Sequence, residues 1–158
     1  MTVAWRITEA RYSRLDGEGA RQYGSRWTSP GFAVVYAADS RALAALETLV
    51  NMRYSDAFPK YIAIRCEFPD DLVWNIESRH VPPDWRDMPA PDELRAEIGD
   101  PWLQRLRTPV MAVPSAVIPQ ERNYILNPAH PDFSGIAIGE PEPFVFDIRL
   151  LNRYNPAP

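Results

Sequence analysis

Proline is the residue that most restricts the folds open to this chain. Seventeen of the 158 residues are proline, about one in nine, and all but Pro30 lie after residue 58. A proline has no backbone N–H and interrupts the interior of a helix or of a central strand. The sequence therefore predicts short helices and strands that are joined by many loops.

The composition is that of a soluble globular protein, and it excludes several functional classes. Hydrophobic residues make up 46% of the chain and charged residues 24%, which argues against disorder over the whole length. The net charge of −4 disfavours a broad surface for nucleic acid or for an anionic membrane. No apolar run approaches the ~20 residues of a membrane helix. The lone Cys66 excludes a disulfide framework and a thiolate zinc site. We therefore expect one cytoplasmic domain over residues 1–158.

Arginine supplies nearly all of the positive charge. The chain has sixteen arginines and one lysine, Lys60. A mechanism that needs a lysine amine could depend only on Lys60, so functional cations are expected to be guanidinium groups. Guanidinium suits bidentate contacts with phosphate.

Hydrophobic periodicity predicts strands and helices in mixed order. The segments predicted as strands are 3–7, 32–37, 61–68, 72–76, 109–118, 122–126 and 144–150. Ser40 is a suitable N-cap for a helix over 41–53, and Asp92 and Asp100 are predicted to cap further helices. The polar segment 8–31 is predicted to be a long functional loop. Since no regular β-α-β alternation occurs, we expect an α+β fold.

Glu47 lies at the edge of the apolar face of the helix predicted over 41–53. At 100° per residue, one apolar arc is formed by Leu43, Leu46, Leu49 and Val50. Glu47 is about 40° from Leu43, which places its carboxylate at the boundary between core and cleft. The alternative is a glutamate whose stem packs on the core while its carboxylate reaches water.

Several common motifs are tested and set aside. Gly17-Glu-Gly19 invites a dinucleotide-loop interpretation, but position 22 is glutamine and no helix is expected to open there. His130 and Asp132 could bind a metal, but the other histidine is distant, and a rigid turn tied down by His130 is favoured. Cys66 falls on the apolar face of its strand, where an inert core thiol is expected.

Five short motifs occur in a fixed order along the chain. The first spans residues 17–51 and contains Gly17-Glu-Gly-Ala20, Gly24-Ser-Arg-Trp27, residues 31–36 and Leu43-Ala-Ala-Leu-Glu47. The others are Asp100-Pro-Trp102, Val113-Pro-Ser115, Asn127-Pro-Ala-His-Pro-Asp132 and Phe146-Asp-Ile-Arg-Leu150. In this order they resemble the RES domain family, which is named for an arginine, a glutamate and a serine. The resemblance extends from Trp5-Arg6 to Leu150.

The resemblance implies a bacterial toxin of a toxin–antitoxin pair. Its fold would be similar to the NAD-binding core of ADP-ribosyltransferase toxins, a mixed, split β-sheet with flanking helices. NAD⁺ would be the substrate, without a metal. The implied partner is an antitoxin with an Xre-like helix-turn-helix region that occludes the active site, so neither direct nucleic-acid contact nor a membrane is expected. Family members release ADP-ribose to water or phosphate, or attach it to a protein, such as an enzyme of nucleotide biosynthesis.

The family's arginine, tyrosine, glutamate and serine correspond to Arg26, Tyr36, Glu47 and Ser115. The resemblance implies that Glu47 offsets the positive charge that develops as nicotinamide leaves, while Arg26 holds the pyrophosphate. Tyr36 would stack on the nicotinamide ring, and Ser115 would donate a hydrogen bond to the substrate. No histidine partner is evident, so Ser115 is not expected to be a nucleophile. Further candidates for lining the pocket are Arg6, Trp27 and Asn127.

These residues could have purely structural roles, and the whole chain could belong to another functional class. Arg26 could be a surface arginine in a loop, and Tyr36 could be a plain core aromatic. The sequence does not separate transfer to a protein from hydrolysis or phosphorolysis of NAD⁺. A non-catalytic binding module that keeps the fold is a second class, disfavoured because the arginine, glutamate and serine are all present. A DNA-binding regulator is a third, disfavoured by the negative charge.

Overall fold

The structure is a computed structural model that describes residues 1–52 and 59–152. The strands are β1 (Thr2–Glu9), β2 (Val35–Ala38), β3 (Tyr61–Phe68), β4 (Val73–Asn75), β5 (Val110–Pro114), β6 (Arg122–Leu126), β7 (Ala137–Ile138) and β8 (Glu142–Phe144). The α-helices are α1 (Glu18–Tyr23), α2 (Arg41–Val50), α3 (Asp100–Gln104) and α4 (Ile148–Asn152), and a π-helical turn (Leu94–Gly99) leads directly into α3. The mixed order of strands and helices confirms the predicted α+β class. None of the described helices is long and apolar enough to cross a membrane.

The sheet is nearly divided between β1 and β2. Its order is β4-β5-β6-β2-β1-β3-β7, β8 pairs a further part of β3, and β4 runs parallel to β5. β2 is paired with β6 along its whole length, but with β1 only where Trp5 lies opposite Ala38. Beside this pair, Nη1 of Arg6 donates to the carbonyl oxygen of Tyr36 at 2.9 Å. The strands part here, but the single pair keeps all eight strands in one sheet, so the expected mixed sheet is confirmed and a full split is not seen.

Helix α2 forms as predicted, but it buries a different set of side chains. The hydroxyl of Ser40 accepts the third amide N–H along at 3.1 Å, an N-cap that stabilises a helix by about 1 kcal/mol. The side chains buried against the sheet are Leu43, Ala44, Ala45 and Leu49. Leu46 and Val50, which the periodicity placed in the core, are 36% and 50% exposed. The helix ends at Val50, short of Arg53, which lies outside the described residues.

The predicted closing strand over 144–150 is wrong. β8 ends at Phe144, and α4 begins at Ile148. Oδ1 of Asp147 accepts the amide N–H of Arg149 at 2.9 Å, which is the geometry of a helix N-cap. A local capping interaction therefore overrides the strand propensity of the aromatic residues before it. The segments predicted over 32–37, 72–76 and 109–118 do contain strands, but these are shorter or shifted by one residue at an end.

The segment predicted as one long loop, residues 8–31, contains a helix. Helix α1 begins directly after Gly17, so the expectation that no helix opens there is wrong. Gly17 has a φ of 70°, and a Cβ there would lie 2.5 Å from the amide nitrogen of Val34, so only glycine allows this close approach. A dinucleotide loop would still require a strand that leads directly into the helix, whereas β1 ends at Glu9.

Both faces of the sheet are covered. Successive residues of β5 and β6 alternate between two clusters, as the pleat of a strand requires. One cluster contains Val110, Ala112, Tyr124 and Leu126 together with Cys66 and Phe68. The other contains Met111, Val113 and Ile125 with the tryptophans Trp27, Trp85 and Trp102. Cys66 is fully buried, and this burial raises the pKa of its thiol to about 11, so the expected core position is confirmed.

The π-helical turn touches the backbone of the segment that carries Arg26. A Cβ built on Gly99 would lie 1.6 Å from the carbonyl oxygen of Trp27. Because the backbone fixes the position of a Cβ and the carbonyl oxygen is itself part of the backbone, no change of side-chain rotamer could relieve such a contact. Gly99 is therefore required for the turn to pack against this segment.

Two side chains, one from the turn and one from the start of α3, bind the same segment. Asp100 accepts the amide N–H and the hydroxyl of Ser29, at 2.9 and 2.5 Å, so its predicted role as a helix cap is wrong. Nε of Arg95 donates to the carbonyl oxygen of Ser25 at 2.6 Å. At Asp92 the helical region does begin, but no side-chain cap bond is formed. The result is a segment, residues 25–29, whose backbone is held at several points.

Candidate active site

A cleft of about 1480 Å³ opens where β1 and β2 part. Its walls include Arg6 of β1, Tyr36 of β2, Glu47 of α2 and the segment from Ser25 to Trp27. These elements come from distant parts of the sequence and meet because the sheet is nearly divided at this point. The cleft exceeds the ~300–1,000 Å³ of a typical small-molecule site, so a ligand as large as a dinucleotide can enter.

The carboxylate of Glu47 is held by two hydrogen bonds to the same oxygen. Oε1 accepts the hydroxyl of Ser115 at 2.7 Å and the amide Nδ2 of Asn123 at 2.6 Å. Within the described ranges, Oε2 has no hydrogen-bond partner. Glu47 itself is partly exposed and lines the cleft. The sequence-based placement of Glu47 at the border between core and cleft is therefore confirmed.

Ser115 supports Glu47 and does not line the cleft. It directly follows β5 and is fully buried. Its oxygen accepts the amide N–H groups of Val117 and Ile118, at 3.1 and 3.0 Å, while its proton is donated to Glu47. A hydroxyl has one proton and two lone pairs, so this one is saturated. Ser115 therefore has no proton left to donate to a substrate, although the family resemblance implies such a hydrogen bond.

Arg26 reaches across to the segment 85–88. Nη1 donates to the carbonyl oxygens of Trp85 and Asp87, at 2.8 and 2.9 Å, and Nη2 contacts Sδ of Met88 at 2.9 Å. Burial lowers the pKa of Arg26, and the negative charge of Glu47 acts in the opposite direction. Nε and the second Nη2 hydrogen have no acceptor within the described ranges. Arg26 is thus an anchored, partly buried guanidinium beside Glu47 and not a loose surface side chain.

Tyr36 and Arg6 form the wall between the parted strands. The hydroxyl of Tyr36 lies 2.5 Å from Oγ of Ser25, and burial raises the pKa of Tyr36 to about 12, so the phenol stays neutral. Burial also lowers the pKa of Arg6. Nε of Arg6 is buried without a hydrogen-bond partner in the described part of the chain. The wall therefore carries a guanidinium whose charge no carboxylate of the described residues neutralises at hydrogen-bond distance.

The two remaining candidates, Trp27 and Asn127, differ in their position relative to the cleft. Trp27 is 2% exposed and borders the cleft, with its ring 6.3 Å from that of Trp85. Asn127 lies beyond the far end of β6 and does not line the cleft. Its Oδ1 accepts the amide N–H of Ala129 at 3.1 Å, so Asn127 shapes a turn. The structure thus gathers Arg6, Arg26, Trp27, Tyr36, Glu47 and Ser115, and it separates Asn127 from them.

Asn123 is the residue that sequence reasoning missed. It occupies the second position of β6, opposite Ala38 and Val113, and its side chain reaches Glu47. The available signal was a buried amide in a strand whose next three side chains, Tyr124, Ile125 and Leu126, all fill the core. A polar side chain at such a position needs a partner, but the partner could not be named without the fold.

His130 fixes a turn, as predicted. Its Nδ1 accepts the amide N–H of Asp132 at 3.0 Å, and its Nε2 faces the carbonyl oxygen of Leu106 at 2.9 Å. Over residues 1–52 and 59–152, no three side chains of the His, Cys, Asp and Glu types lie together as a metal site requires.

The sequence was compared with protein-family models and with curated proteins. The family model of the RES domain matches residues 3–147. The Prs ADP-ribosylating toxin of Sphingobium sp. (strain YBL2) is 36% identical over 159 residues, which cover 96% of this chain and 98% of that protein. The Toxin Res of Yersinia enterocolitica is 36% identical over 151 residues, with 94% and 99% covered.

The fold is similar to that of a solved structure. A chain of the M. tuberculosis MbcT–MbcA toxin–antitoxin complex superposes with a TM-score of 0.63 at 19% identity, covering 90% of this chain and 84% of the other. This likeness concerns the fold alone. The family model and the relatives each span nearly the whole chain. On this evidence the chain belongs to the RES domain family.

Proposed function

We propose that this chain is the toxin of a type II toxin–antitoxin pair and acts as one RES domain over residues 1–158 in the cytoplasm. It cleaves the nicotinamide–ribose bond of NAD⁺, transfers the ADP-ribose to a cellular protein and thereby inhibits growth. The observation that carries the proposal is the carboxylate of Glu47, held by two hydrogen bonds on the wall of a cleft beside Arg26. This arrangement supports catalysis rather than the alternative of an inactive binding module.

Glu47 performs the central chemistry. When the nicotinamide–ribose bond breaks, the ribose passes through a state that resembles an oxocarbenium ion, and nicotinamide leaves as a neutral molecule. A fixed carboxylate stabilises this positive charge and binds a ribose hydroxyl, as the carboxylates of glycosidases do. The same carboxylate can orient or deprotonate the group that accepts ADP-ribose. Ser115 keeps Glu47 in place and forms no covalent intermediate.

The arginines of the cleft bind the phosphates. Although the whole chain has a net charge of −4, the described cleft residues include five arginines and two glutamates. Arg26 and Arg6 line the cleft together with Tyr36 and Glu47, and Arg26 has N–H groups without an acceptor within the described ranges. A pyrophosphate offers the anionic oxygens that these groups need. Tyr36 and Trp27 supply the aromatic walls for the nicotinamide end.

Two partners of the chain are proposed from its relatives. The Sphingobium relative is named for ADP-ribosylating Prs, and the structural neighbour was solved as a toxin–antitoxin complex. We therefore propose that a protein such as an enzyme of nucleotide biosynthesis accepts the ADP-ribose. The second proposed partner is an Xre-like helix-turn-helix antitoxin that occludes the cleft and makes any contact with DNA.

The test uses NAD⁺ that is labelled in its adenylate part and measures where the label goes. Purified protein is incubated with this NAD⁺ in the presence and absence of extract from cells that lack the toxin. A single labelled protein band, with little free ADP-ribose, is the expected result. Free ADP-ribose, or ADP-ribose phosphate when phosphate is present, without a labelled protein would replace transfer by hydrolysis or phosphorolysis. No turnover by folded protein in either arm would contradict the proposal.

Arg26→Ala should weaken substrate binding more than chemistry. Loss of charge-assisted hydrogen bonds of about 1.5–3 kcal/mol corresponds to an increase in KM of roughly 10- to 100-fold. We expect kcat at saturating NAD⁺ to change by less than about threefold, because the carboxylate that stabilises the transition state is still present. Steady-state kinetics measure both constants. Arg79→Ala, which removes an exposed arginine outside the cleft, is the control; an unchanged KM in Arg26→Ala would remove Arg26 from phosphate binding.

A further inference from the structure

Asn123 has a buried amide that forms one of its four possible hydrogen bonds within the described ranges. Its Nδ2 donates to Oε1 of Glu47 at 2.6 Å. Its Oδ1 is buried and has no partner within the described ranges. Buried polar atoms without a partner are rare in folded proteins and lower stability, so each one calls for an explanation. Asn123 lies where the core meets the cleft, so the burial of Oδ1 without a partner is unexplained by packing alone.

The orientation of this amide is dictated by Glu47. If the amide were flipped, its oxygen would face the carboxylate and repel it, and the buried NH₂ group would be left without an acceptor. The observed orientation therefore satisfies the carboxylate at the expense of Oδ1. The amide of Asn123 thus holds Glu47 through Nδ2 while its Oδ1 is left without a hydrogen bond.

Ser115 and Asn123 approach Glu47 from the ends of two neighbouring strands. Ser115 directly follows β5, and Asn123 lies at the start of β6, where it pairs with Val113. Both donate to Oε1, which leaves Oε2 for other contacts. Two donors on one oxygen fix the rotation of the carboxylate about its axis, which a single donor would not do.

We propose that Asn123 is a positioning residue: its amide, together with the hydroxyl of Ser115, fixes the carboxylate of Glu47 so that Oε2 faces the substrate. This inference rests on the proposed function of Glu47. Asn123 also borders the cleft, but the proposal assigns its amide to the support of Glu47 and not to the binding of NAD⁺. Its removal should therefore lower kcat, leave KM nearly unchanged and leave the fold intact.

Asn123→Leu tests the proposal, because leucine has a similar shape and removes both the donor and the orphaned oxygen. We expect kcat for NAD⁺ cleavage to fall about 100-fold, the cost of misplacing a reacting group by about 1 Å. We expect Tm to be equal to or higher than that of the wild type. A residue with a merely structural role would show the opposite pattern, a lower Tm with kcat retained, and that result would overturn the proposal.

Asn123→Asp supplies a second readout. Two carboxylates at hydrogen-bond distance cannot both remain ionised, and only the singly protonated pair restores a donor to Glu47. The kcat of this variant relative to the wild type should therefore rise as pH falls from about 9 to 6, whereas the same ratio for Asn123→Leu stays flat. Arg26, the charged neighbour of Glu47, is common to all variants. A pH-independent ratio for Asn123→Asp would contradict the proposal.

Tyr124→Phe is the matched control on the same strand. The hydroxyl of Tyr124 donates to Oδ1 of Asp39 at 2.7 Å, on the opposite face of the sheet. This variant should lower Tm and keep kcat. The activity of the wild type shows which proposal has failed. If the folded wild type is inactive, the proposed function is wrong. If the wild type is active and the Asn123 variants are equally active, only the role of Asn123 is wrong.

Discussion

Glu47→Gln is expected to lower kcat for NAD⁺ cleavage by about 1000-fold, the cost of removing a preorganised electrostatic contact to the transition state. Glutamine keeps the shape of the side chain, and its carbonyl oxygen can still accept the hydrogen bonds from Ser115 and Asn123. The variant therefore removes the charge and little else. Since Glu47 flanks the core without filling it, the fold should be unaffected, and expression of the variant should no longer inhibit growth.

The measurement combines cleavage of labelled NAD⁺, a growth assay without antitoxin and thermal unfolding. Glu142→Gln is the matched control, because Glu142 forms an exposed ion pair with Arg41 outside the cleft. The control should remain fully active and toxic. If Glu47→Gln inhibited growth as strongly as the wild type, the mechanism proposed here would be wrong. Glu47→Ala, which also removes the two hydrogen bonds, should be equally inactive.

Gly99→Ala is expected to destabilise the protein by more than about 3 kcal/mol, which for a chain of this size lowers Tm by about 10 °C. The added Cβ would lie 1.6 Å from the carbonyl oxygen of Trp27, and the backbone fixes the positions of both atoms. The turn and the segment 25–29 must therefore separate. Because that segment carries Arg26, the KM for NAD⁺ should also rise in whatever fraction remains folded.

Gly19→Ala is the matched control for this prediction. Gly19 lies in α1, and no atom lies within 4 Å of the position that a Cβ would occupy. Alanine is favoured over glycine in a helix, so Tm should be unchanged or raised. Thermal unfolding monitored by circular dichroism measures both variants. Equal Tm values for Gly99→Ala and the wild type would show that the turn does not need the close contact with Trp27.

Local signals predicted the regular elements well where one interaction dominated. The N-cap at Ser40 placed the start of α2, and the alternating pattern of residues 61–68 predicted β3 with its bounds. Predictions failed where two signals competed. The aromatic residues near Phe146 suggested a strand, but the N-cap at Asp147 begins α4 instead. The periodicity of α2 placed Leu46 in the core, whereas its alanines pack there.

The motifs of the family name residue types and leave their contacts open. Arg26, Tyr36 and Glu47 do line one cleft, and Ser115 lies buried behind Glu47. The contact expected of Ser115 changed once its neighbours were known, since its proton is donated to Glu47 and not to a substrate. Asn127, which also lies within a motif, proved to shape a turn.

By itself, the sequence determined the α+β class, the family and the position of Glu47 at the edge of a helix face, because these depend on local periodicity, capping and short motifs. Only the tertiary structure decided how the carboxylate is held. Ser115 and Asn123 lie 68 and 76 residues from Glu47 along the chain. Arg26 is anchored by carbonyl oxygens of the backbone, which every residue possesses. Contacts between distant positions, and acceptors that no residue type marks, become visible only when the chain is folded.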